Sequence, residues 1–125
     1  MEICTIIVNS VYMYVFSVSS LNGYFIKING FTMRVSFFSG TAGDSFDFHR
    51  GSAFSTKDRD NDVNSRQHCA VDWKGGWWYS RCQHSNLNGL YLKGSSSLSG
   101  VRWYHWRKDN ESLKISEMKI RPNDF

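Results

Sequence analysis

Residues 54–82 read FSTKDRDNDVNSRQHCAVDWKGGWWYSRC, which combines an acidic run, two cysteines and two adjacent tryptophans. The run from Asp58 to Asn64 places an oxygen-bearing side chain at every second position. Calcium takes about six to eight oxygen ligands from carboxylates, carbonyls and water, so this spacing indicates a calcium loop. A solvated acidic loop, with Lys57 and Arg59 balancing its charge, is the alternative interpretation.

The acidic run does not fit an EF-hand. Counted from Asp58, the sixth position of that motif needs Gly and holds Val63, and the twelfth needs Glu and holds Cys69. A calcium loop at this place would therefore be of another kind.

The two cysteines of this stretch are open to two interpretations. Cys69 and Cys82 are close enough in sequence to close a short disulfide loop, which the chain-entropy model values at about 3 kcal/mol. They could also join His68 and His84 in a zinc site, although the C-x-x-C pair of structural zinc sites is missing. The third cysteine, Cys4, makes the count odd and leaves one thiol without a partner in the chain.

The aromatic run of Trp77, Trp78 and Tyr79 is more typical of core packing than of a wall on which a ligand stacks. The chain has 125 residues, 41% of them hydrophobic, and this length predicts one domain at most. The net charge is +4, but the basic residues form no cluster, so nucleic acid is not an expected partner. The sequence contains no nucleophile elbow, phosphate loop or H-E-x-x-H motif, so we do not expect an enzyme.

Working outward, the pattern is mainly that of β-strands. Residues 32–37 alternate apolar and polar side chains, as in a half-buried strand, and Phe46 and Phe48 continue such an alternation. Asn88-Gly89 is a strong tight-turn pair. Residues 1–20 are rich in Ile, Val, Tyr and Phe. The stretch from Ile3 to Val18 is too short and too polar for a membrane span, which leaves a signal-like stretch without a basic start, a strand, or a poor gene start.

Seven segments, taken in order, carry a resemblance to a known family. They are GTAGDS at 40–45, FSTKDRDND at 54–62, Cys69-Ala70, GWWY at 76–79, Cys82, SNLNGLY at 85–91 and SEMKIRP at 116–122. In this order and spacing they resemble the fibrinogen C-terminal domain, as in ficolins, tachylectins, tenascins and angiopoietins. The resemblance covers residues 31–125 and leaves residues 1–30 unmatched.

The resemblance implies an α+β domain, mainly β with long irregular loops, that is secreted and has no catalytic activity. The family's complete domain is considerably longer, so the resemblance implies a partial domain. It also implies a calcium ion held by Asp60 and Asp62, with backbone carbonyls near Asn64 and Arg66 and with water. One extra residue near Gln67-His68 puts the Arg66 carbonyl in doubt more than the two carboxylates.

The resemblance further implies a Cys69–Cys82 disulfide and a cis peptide between Arg81 and Cys82. In acetyl-binding members, backbone N–H groups at this peptide hold the acetyl oxygen while aromatic rings cradle the methyl group. The corresponding pocket positions in this sequence are Trp73, Arg81, Cys82, Gln83, His84, Ser97, Leu98 and Asp109. Gln83 replaces a usual histidine, and Ser97, Leu98 and Asp109 stand near positions where the family has tyrosine or alanine.

We therefore expect a calcium-dependent recognition module that binds acetylated glycans in an innate-immunity lectin role. The alternatives are a protein–protein ligand module of the angiopoietin or tenascin type, which would bind a protein terminus, and a fragment without function. An acidic Asp109 would favour an amine or a basic peptide end. Oligomers would form through regions upstream of this sequence. Asn110-Glu111-Ser112 fits the N-glycosylation pattern and would place a glycan beside that pocket.

Overall fold

A computed structural model of the chain describes residues 11–16, 23–29, 32–39, 42–93, 95–107, 110–114 and 116–122. Within these ranges the strands are β1 (Val11–Phe16), β2 (Gly23–Asn29), β3 (Thr32–Ser39), β4 (Ser85–Asn86), β5 (Arg102–Trp103) and β6 (Glu117–Pro122). The helices are α1 (Cys69–Asp72), α2 (Tyr104–Arg107) and a 3-10 turn at Asp47–His49. Strands therefore dominate, long irregular segments connect them, and the predicted fold class is confirmed.

An antiparallel sheet joins the two ends of the described chain in the order β3-β2-β1-β6. β1 pairs with β6 from Val11 opposite Pro122 to Phe16 opposite Glu117. Pro122 cannot donate a ladder bond, and its place at the end of an edge strand tolerates this. Residues 11–16, left open between a signal-like stretch and a strand, thus form a strand. Cys4 lies outside the described residues.

The strand predicted around residues 32–37 is present as β3, but its alternation is interrupted. Phe25 lies opposite Phe37, whereas the next residue, Ile26, lies opposite Val35. Ser36 is therefore an extra residue on β3, which is the arrangement of a β-bulge. Such a bulge bends the strand at a point that a simple period-two pattern does not reveal.

The alternation predicted at Phe46 and Phe48 is wrong, because residues 47–49 form a 3-10 turn. The side chain of Asp44 accepts hydrogen bonds from the N–H groups of Phe46 and Asp47, both at 2.9 Å. A short acidic side chain competes in this way with strand pairing. The turn buries Phe46 and His49 together, three residues apart, instead of Phe46 and Phe48.

The aromatic run forms the centre of the core, as predicted. Trp77, Trp78 and Tyr79 are each at most 1% exposed. The ring of Phe46 stacks on Trp77 at 5.5 Å and meets the edge of Trp103 at 5.0 Å. Offset and edge-to-face pairs of this kind add to the free energy gained by burying the rings.

The core also fixes the start of the acidic run. Ser55 and Trp77 exchange backbone hydrogen bonds of 2.9 and 3.1 Å. The N–H of Asn61 donates to the Ser55 hydroxyl at 2.9 Å, and the Asn61 amide donates to the Phe54 carbonyl at 2.7 Å. The loop that follows is thus attached to the buried tryptophan pair.

The turn predicted at Asn88-Gly89 is present, since the Gly89 N–H donates to the Asn86 carbonyl at 3.1 Å. It does not close a hairpin, because β4 pairs with β5, sixteen residues further along the chain. Among the described residues, no helix has the length and apolar character needed to cross a membrane.

Candidate functional site

The acidic loop from Asp60 to Arg66 is built from three consecutive side-chain turns. In each, a side-chain oxygen accepts a hydrogen bond from the backbone N–H two residues on. The bonds run from Asp62 N to Asp60 Oδ1 at 3.1 Å, from Asn64 N to Asp62 Oδ1 at 2.8 Å and from Arg66 N to Asn64 Oδ1 at 3.2 Å. The alternating side-chain oxygens seen in the sequence therefore fold the loop into tight turns by bonding to its own backbone N–H groups.

Asp62 also ties this loop to α1. Its second oxygen accepts a hydrogen bond from the Cys69 N–H at 2.9 Å. Partial burial and the neighbouring carboxylate of Asp60 raise the pKa of Asp62 above its usual value. Two carboxylates this close repel each other unless a proton or a cation compensates their charge.

A calcium ion fits this donor set better than zinc does. In the part of the chain that the structure describes, no three His, Cys, Asp or Glu residues converge on a metal position. The side-chain share would be the two carboxylates of Asp60 and Asp62, and calcium accepts carbonyls and water for the rest. The Asn64 carbonyl already accepts from the Gln67 N–H at 3.4 Å, but a carbonyl oxygen has a second lone pair. The calcium ion itself stays a prediction.

The disulfide between Cys69 and Cys82 is present, with Cα atoms 5.3 Å apart. It consumes both thiols, so the zinc alternative is wrong. His68, which would have joined that site, instead donates from Nε2 to the Thr56 carbonyl at 2.9 Å.

The segment from Arg81 to Gln83 departs from expectation in one respect. The Arg81–Cys82 peptide is trans, since the described residues contain no cis peptide bond. The predicted cis peptide is therefore wrong. Cys82 makes the sharp turn through a φ of +42° instead, and a non-proline cis bond would cost about 3–4 kcal/mol.

The acidic loop contacts this turn at the disulfide sulfur. The Gln67 amide lies 2.8 Å from Cys82 Sγ, and the Asn64 amide lies 3.6 Å from it. Gln67 is one of the two residues near which the resemblance implied an extra residue. Hence the predicted metal loop and the predicted ligand loop form one connected unit.

Gln83 connects the same turn to the predicted later loop. Its Nε2 donates to the Leu98 carbonyl at 2.6 Å, while its Oε1 is buried with no partner among the described residues. Ser97 holds that loop through its N–H, which donates to the Asn110 carbonyl at 2.8 Å. The structure thus brings Gln83 to the loop that contains Ser97 and Leu98, and Leu98 is 37% exposed.

The turn also contains two backbone N–H groups that belong to largely buried residues. Among the described residues, no acceptor is found for the backbone N–H of Cys82 or of Gln83. Adjacent N–H groups near a residue of positive φ form a concave donor site for an oxygen atom.

The remaining predicted pocket residues lie as follows. Trp73 is partly buried and packs against the core cluster, which includes Cys69 and Cys82, and its backbone carbonyl accepts a hydrogen bond from the Asn86 amide at 3.0 Å. Asp109 lies outside the described residues. His84 is present after Gln83, where its ring stacks on Phe48 at 4.0 Å.

His49 is a structural residue of the site that sequence reasoning missed. Its Nε2 accepts from the N–H groups of His84 and Ser85 at 3.2 and 3.0 Å, and its Nδ1 donates to the Trp78 carbonyl at 2.8 Å. Burial lowers the pKa of His49 to about 4, because the charged form is poorly solvated there. The only sequence signal was a histidine within an aromatic-rich segment, which does not specify this role.

A cavity of about 400 Å³ opens beside the acidic loop, lined by Val63, Asn64, Ser65, Arg66 and Arg81. Arg66 and Arg81 were predicted for the metal site and the ligand site respectively. Their presence in one cavity is a second point at which the two sites meet.

The chain is similar to fibrinogen-related proteins over nearly its whole length. Residues 7–123 match the family model described as fibrinogen beta and gamma chains, C-terminal globular domain. The sequence is 47% identical to human tenascin-R over 94 residues and 48% identical to techylectin-5A from Tachypleus tridentatus over 97 residues. It is 51% identical to human fibrinogen C domain-containing protein 1 over 96 residues. These alignments cover 75%, 76% and 75% of this chain and 7%, 33% and 21% of the relatives.

Solved structures give the same picture. The fibrinogen-like globe domain of human ANGPTL2 superimposes with a TM-score of 0.72 at 37% identity, and that of human ANGPTL6 with 0.68 at 34%. Both comparisons cover 92% of this chain, but only 59% and 57% of the solved domains. The chain therefore spans little more than half of those globe domains.

Proposed function

This chain belongs to the family of fibrinogen C-terminal globular domains, and on that premise we propose that it is an extracellular, calcium-supported recognition domain for acetylated glycans. The family consists of non-enzymatic binding modules, in agreement with the prediction that the chain is not an enzyme. An extracellular location is supported by the Cys69–Cys82 disulfide, because such bonds persist in oxidising compartments.

The observation that carries the proposal is the pair of N–H groups at Cys82 and Gln83, for which the described part of the chain supplies no acceptor. An acetyl group offers a carbonyl oxygen that accepts hydrogen bonds and cannot donate them. The Gln83 side chain bonds to the backbone of the partly exposed Leu98, and Leu98 supplies apolar surface suited to a methyl group. Techylectin-5A, named as a lectin, is similar to this chain across this segment.

Calcium would support this turn indirectly. An ion held by Asp60 and Asp62 would neutralise their mutual repulsion and rigidify the loop that contacts Cys82 through Asn64 and Gln67. Rigidity before binding lowers the entropy cost of holding a ligand. We therefore expect chelation to weaken glycan binding without any direct contact between metal and sugar.

A peptide amino terminus is a second candidate ligand. The buried Oε1 of Gln83 lacks a donor among the described residues, and an ammonium group would supply one. This favours a protein–protein ligand module, and tenascin-R and ANGPTL2 are among the similar proteins. A sugar amide N–H could satisfy the same oxygen, so the ligand has to be found by direct comparison.

The test is to titrate the protein with N-acetylglucosamine, glucosamine, glucose and short peptides with free or acetylated amino termini, following heat or chemical-shift changes. We expect binding of N-acetylglucosamine, none of glucose, and weaker binding in chelator. A Lys114→Gln variant, changed at an exposed lysine outside the site, serves as the control. Equal binding of glucose, or binding confined to free-amine peptides, would contradict the glycan assignment.

A further inference from the structure

The triplet Asn110-Glu111-Ser112 has no part in the recognition site proposed above. It is the one N-x-Ser/Thr triplet in the sequence. The structure exposes Asn110, whose side-chain amide makes no hydrogen bond to the described residues. We propose that Asn110 carries an N-linked glycan, which is attached before the segment around it folds. This inference rests on the extracellular location proposed above and does not depend on which ligand the domain binds.

The order of events follows from Ser112, because the transferring enzyme recognises the hydroxyl at the third position of the triplet. In the folded chain Ser112 is 1% exposed. Its hydroxyl accepts a hydrogen bond from the Val101 N–H at 3.0 Å. Gly100 packs so closely that an added Cβ would lie 2.7 Å from the Oγ of Ser112. The folded chain therefore encloses the hydroxyl, and glycan transfer has to occur while these residues are unfolded.

The transfer needs a lipid-linked oligosaccharide diphosphate as the sugar donor. The side-chain nitrogen of Asn110 attacks the anomeric carbon of the donor's first sugar, and a C–N bond forms. The C–O bond from that carbon to the diphosphate breaks, and the lipid diphosphate leaves with the bonding electrons. The amide nitrogen loses one proton to a base of the enzyme. Later folding can accommodate the product, because Asn110 lies at the surface.

A glycan at Asn110 would stand at the edge of the predicted ligand loop, residues 95–99. The Ser97 N–H donates to the Asn110 carbonyl at 2.8 Å, so the two segments lie side by side. The same loop contains Leu98, which is 37% exposed. A bulky hydrophilic chain at this place would shield such apolar surface from other molecules.

The experiment presents the chain to purified oligosaccharyltransferase with a lipid-linked donor, once folded with its disulfide intact and once reduced and unfolded. We expect one added glycan on the unfolded chain, measured as a mass increase that peptide N-glycosidase removes. The yield from the folded chain should be lower by about tenfold or more, because transfer then requires local unfolding. The chain secreted from eukaryotic cells behind an added signal peptide should carry the same glycan.

The variants Asn110→Gln and Ser112→Ala should both abolish the mass increase. Ser112→Thr should keep it, because threonine also supplies a hydroxyl. Asn88→Gln, changed at an asparagine outside the triplet, is the control and should be modified like the wild type. A variant that folds poorly does not obscure the result, since the unfolded chain is the substrate.

An unmodified Asn110 in either the unfolded or the secreted chain would overturn the site. Equal yields from folded and unfolded chain would overturn the order of events, and a glycan that persists in Ser112→Ala would overturn the role of the hydroxyl. None of these outcomes bears on sugar binding, which is measured on the unmodified chain. Conversely, failure to bind N-acetylglucosamine would contradict the proposed function and leave the glycosylation site standing.

Discussion

His49 holds three backbone groups with one neutral ring. Two N–H groups, from His84 and Ser85, point at its Nε2, so that nitrogen has to carry a lone pair. A proton on Nε2 would remove the acceptor and bring three donors face to face. Protonation of the buried ring would therefore destabilise the fold. The effect would fall on His84 and Ser85, which follow the disulfide residue Cys82 closely in the chain.

Stability should fall as the pH is lowered from about 6.5 to about 4. The pKa of His49 is about 4 in the folded state and near 6.5 when unfolded, so the unfolded chain binds more protons in this window. The stabilisation is complete above 6.5 and is lost as pH approaches 4, by about 3 kcal/mol in all. Urea unfolding at a series of pH values measures this.

The matched variants are His49→Gln and His68→Gln. Glutamine at 49 loses the titrating ring, so its unfolding free energy should be lower at pH 7 but should change less between pH 6.5 and 4. His68→Gln should keep the wild-type slope. A wild-type slope in His49→Gln would show that other groups account for the acid sensitivity.

For single residues, the sequence predicted the roles that follow from a side chain's own chemistry. The tryptophans were predicted to be buried because they are large and apolar, and the cysteine pair was predicted to form a disulfide because of the family resemblance. His49 and Gln67 could not be predicted, because their roles depend on which backbone groups the fold places opposite them. The same applies to the trans peptide before Cys82, where φ rather than ω makes the turn.

Among the elements, the 3-10 turn at residues 47–49 is the one that the sequence pattern misreads. Its alternating Phe and polar residues suggest a strand, but Asp44 supplies a local hydrogen-bond partner for two N–H groups. Gly43, just before Asp44, has a φ of +72° and lets the backbone pass close to His105. A Cβ added at Gly43 would lie 2.6 Å from the Cβ of His105. A periodic pattern reflects side-chain polarity and does not show that a side chain such as Asp44 bonds to nearby backbone N–H groups. The bulge at Ser36 is likewise a backbone feature that side-chain polarity does not show.

Replacing Asp44 with alanine should lower the free energy of unfolding by about 1 kcal/mol, the usual cost of removing such a side-chain cap. Asp47→Ala is the matched control. It removes an exposed ion pair with Arg50 in the same turn, and such pairs contribute little. Chemical denaturation of the two variants measures the difference. Equal losses would mean that charge, and not capping, is what Asp44 contributes.

At the scale of the whole molecule, the chain folds with its described ends together. β1, near the start, pairs along its full length with β6, near residue 122. The family model also begins at residue 7, inside the segment that the sequence motifs left unmatched. The motifs between residues 54 and 91 identified the family because they include loop and core residues with specific roles. Strands such as β1 carry only a generic apolar pattern, so their place in the sheet could not be read from the sequence.

Calcium should stabilise the whole domain, because an ion that binds only the folded loop shifts the unfolding equilibrium. At a hundredfold excess over Kd the gain is about 2.7 kcal/mol, or roughly 10 °C in Tm for a chain of this size. Asp60→Asn and Asp62→Asn should abolish the shift, whereas Asp58→Asn should keep it, because Asp58 is exposed and bonds to Thr56. If calcium raised the Tm of all three variants equally, its effect would be general charge screening and not binding at this loop. Loss of the shift in the Asp60 and Asp62 variants alone would locate the ion at their two carboxylates, next to the loop that contacts Cys82.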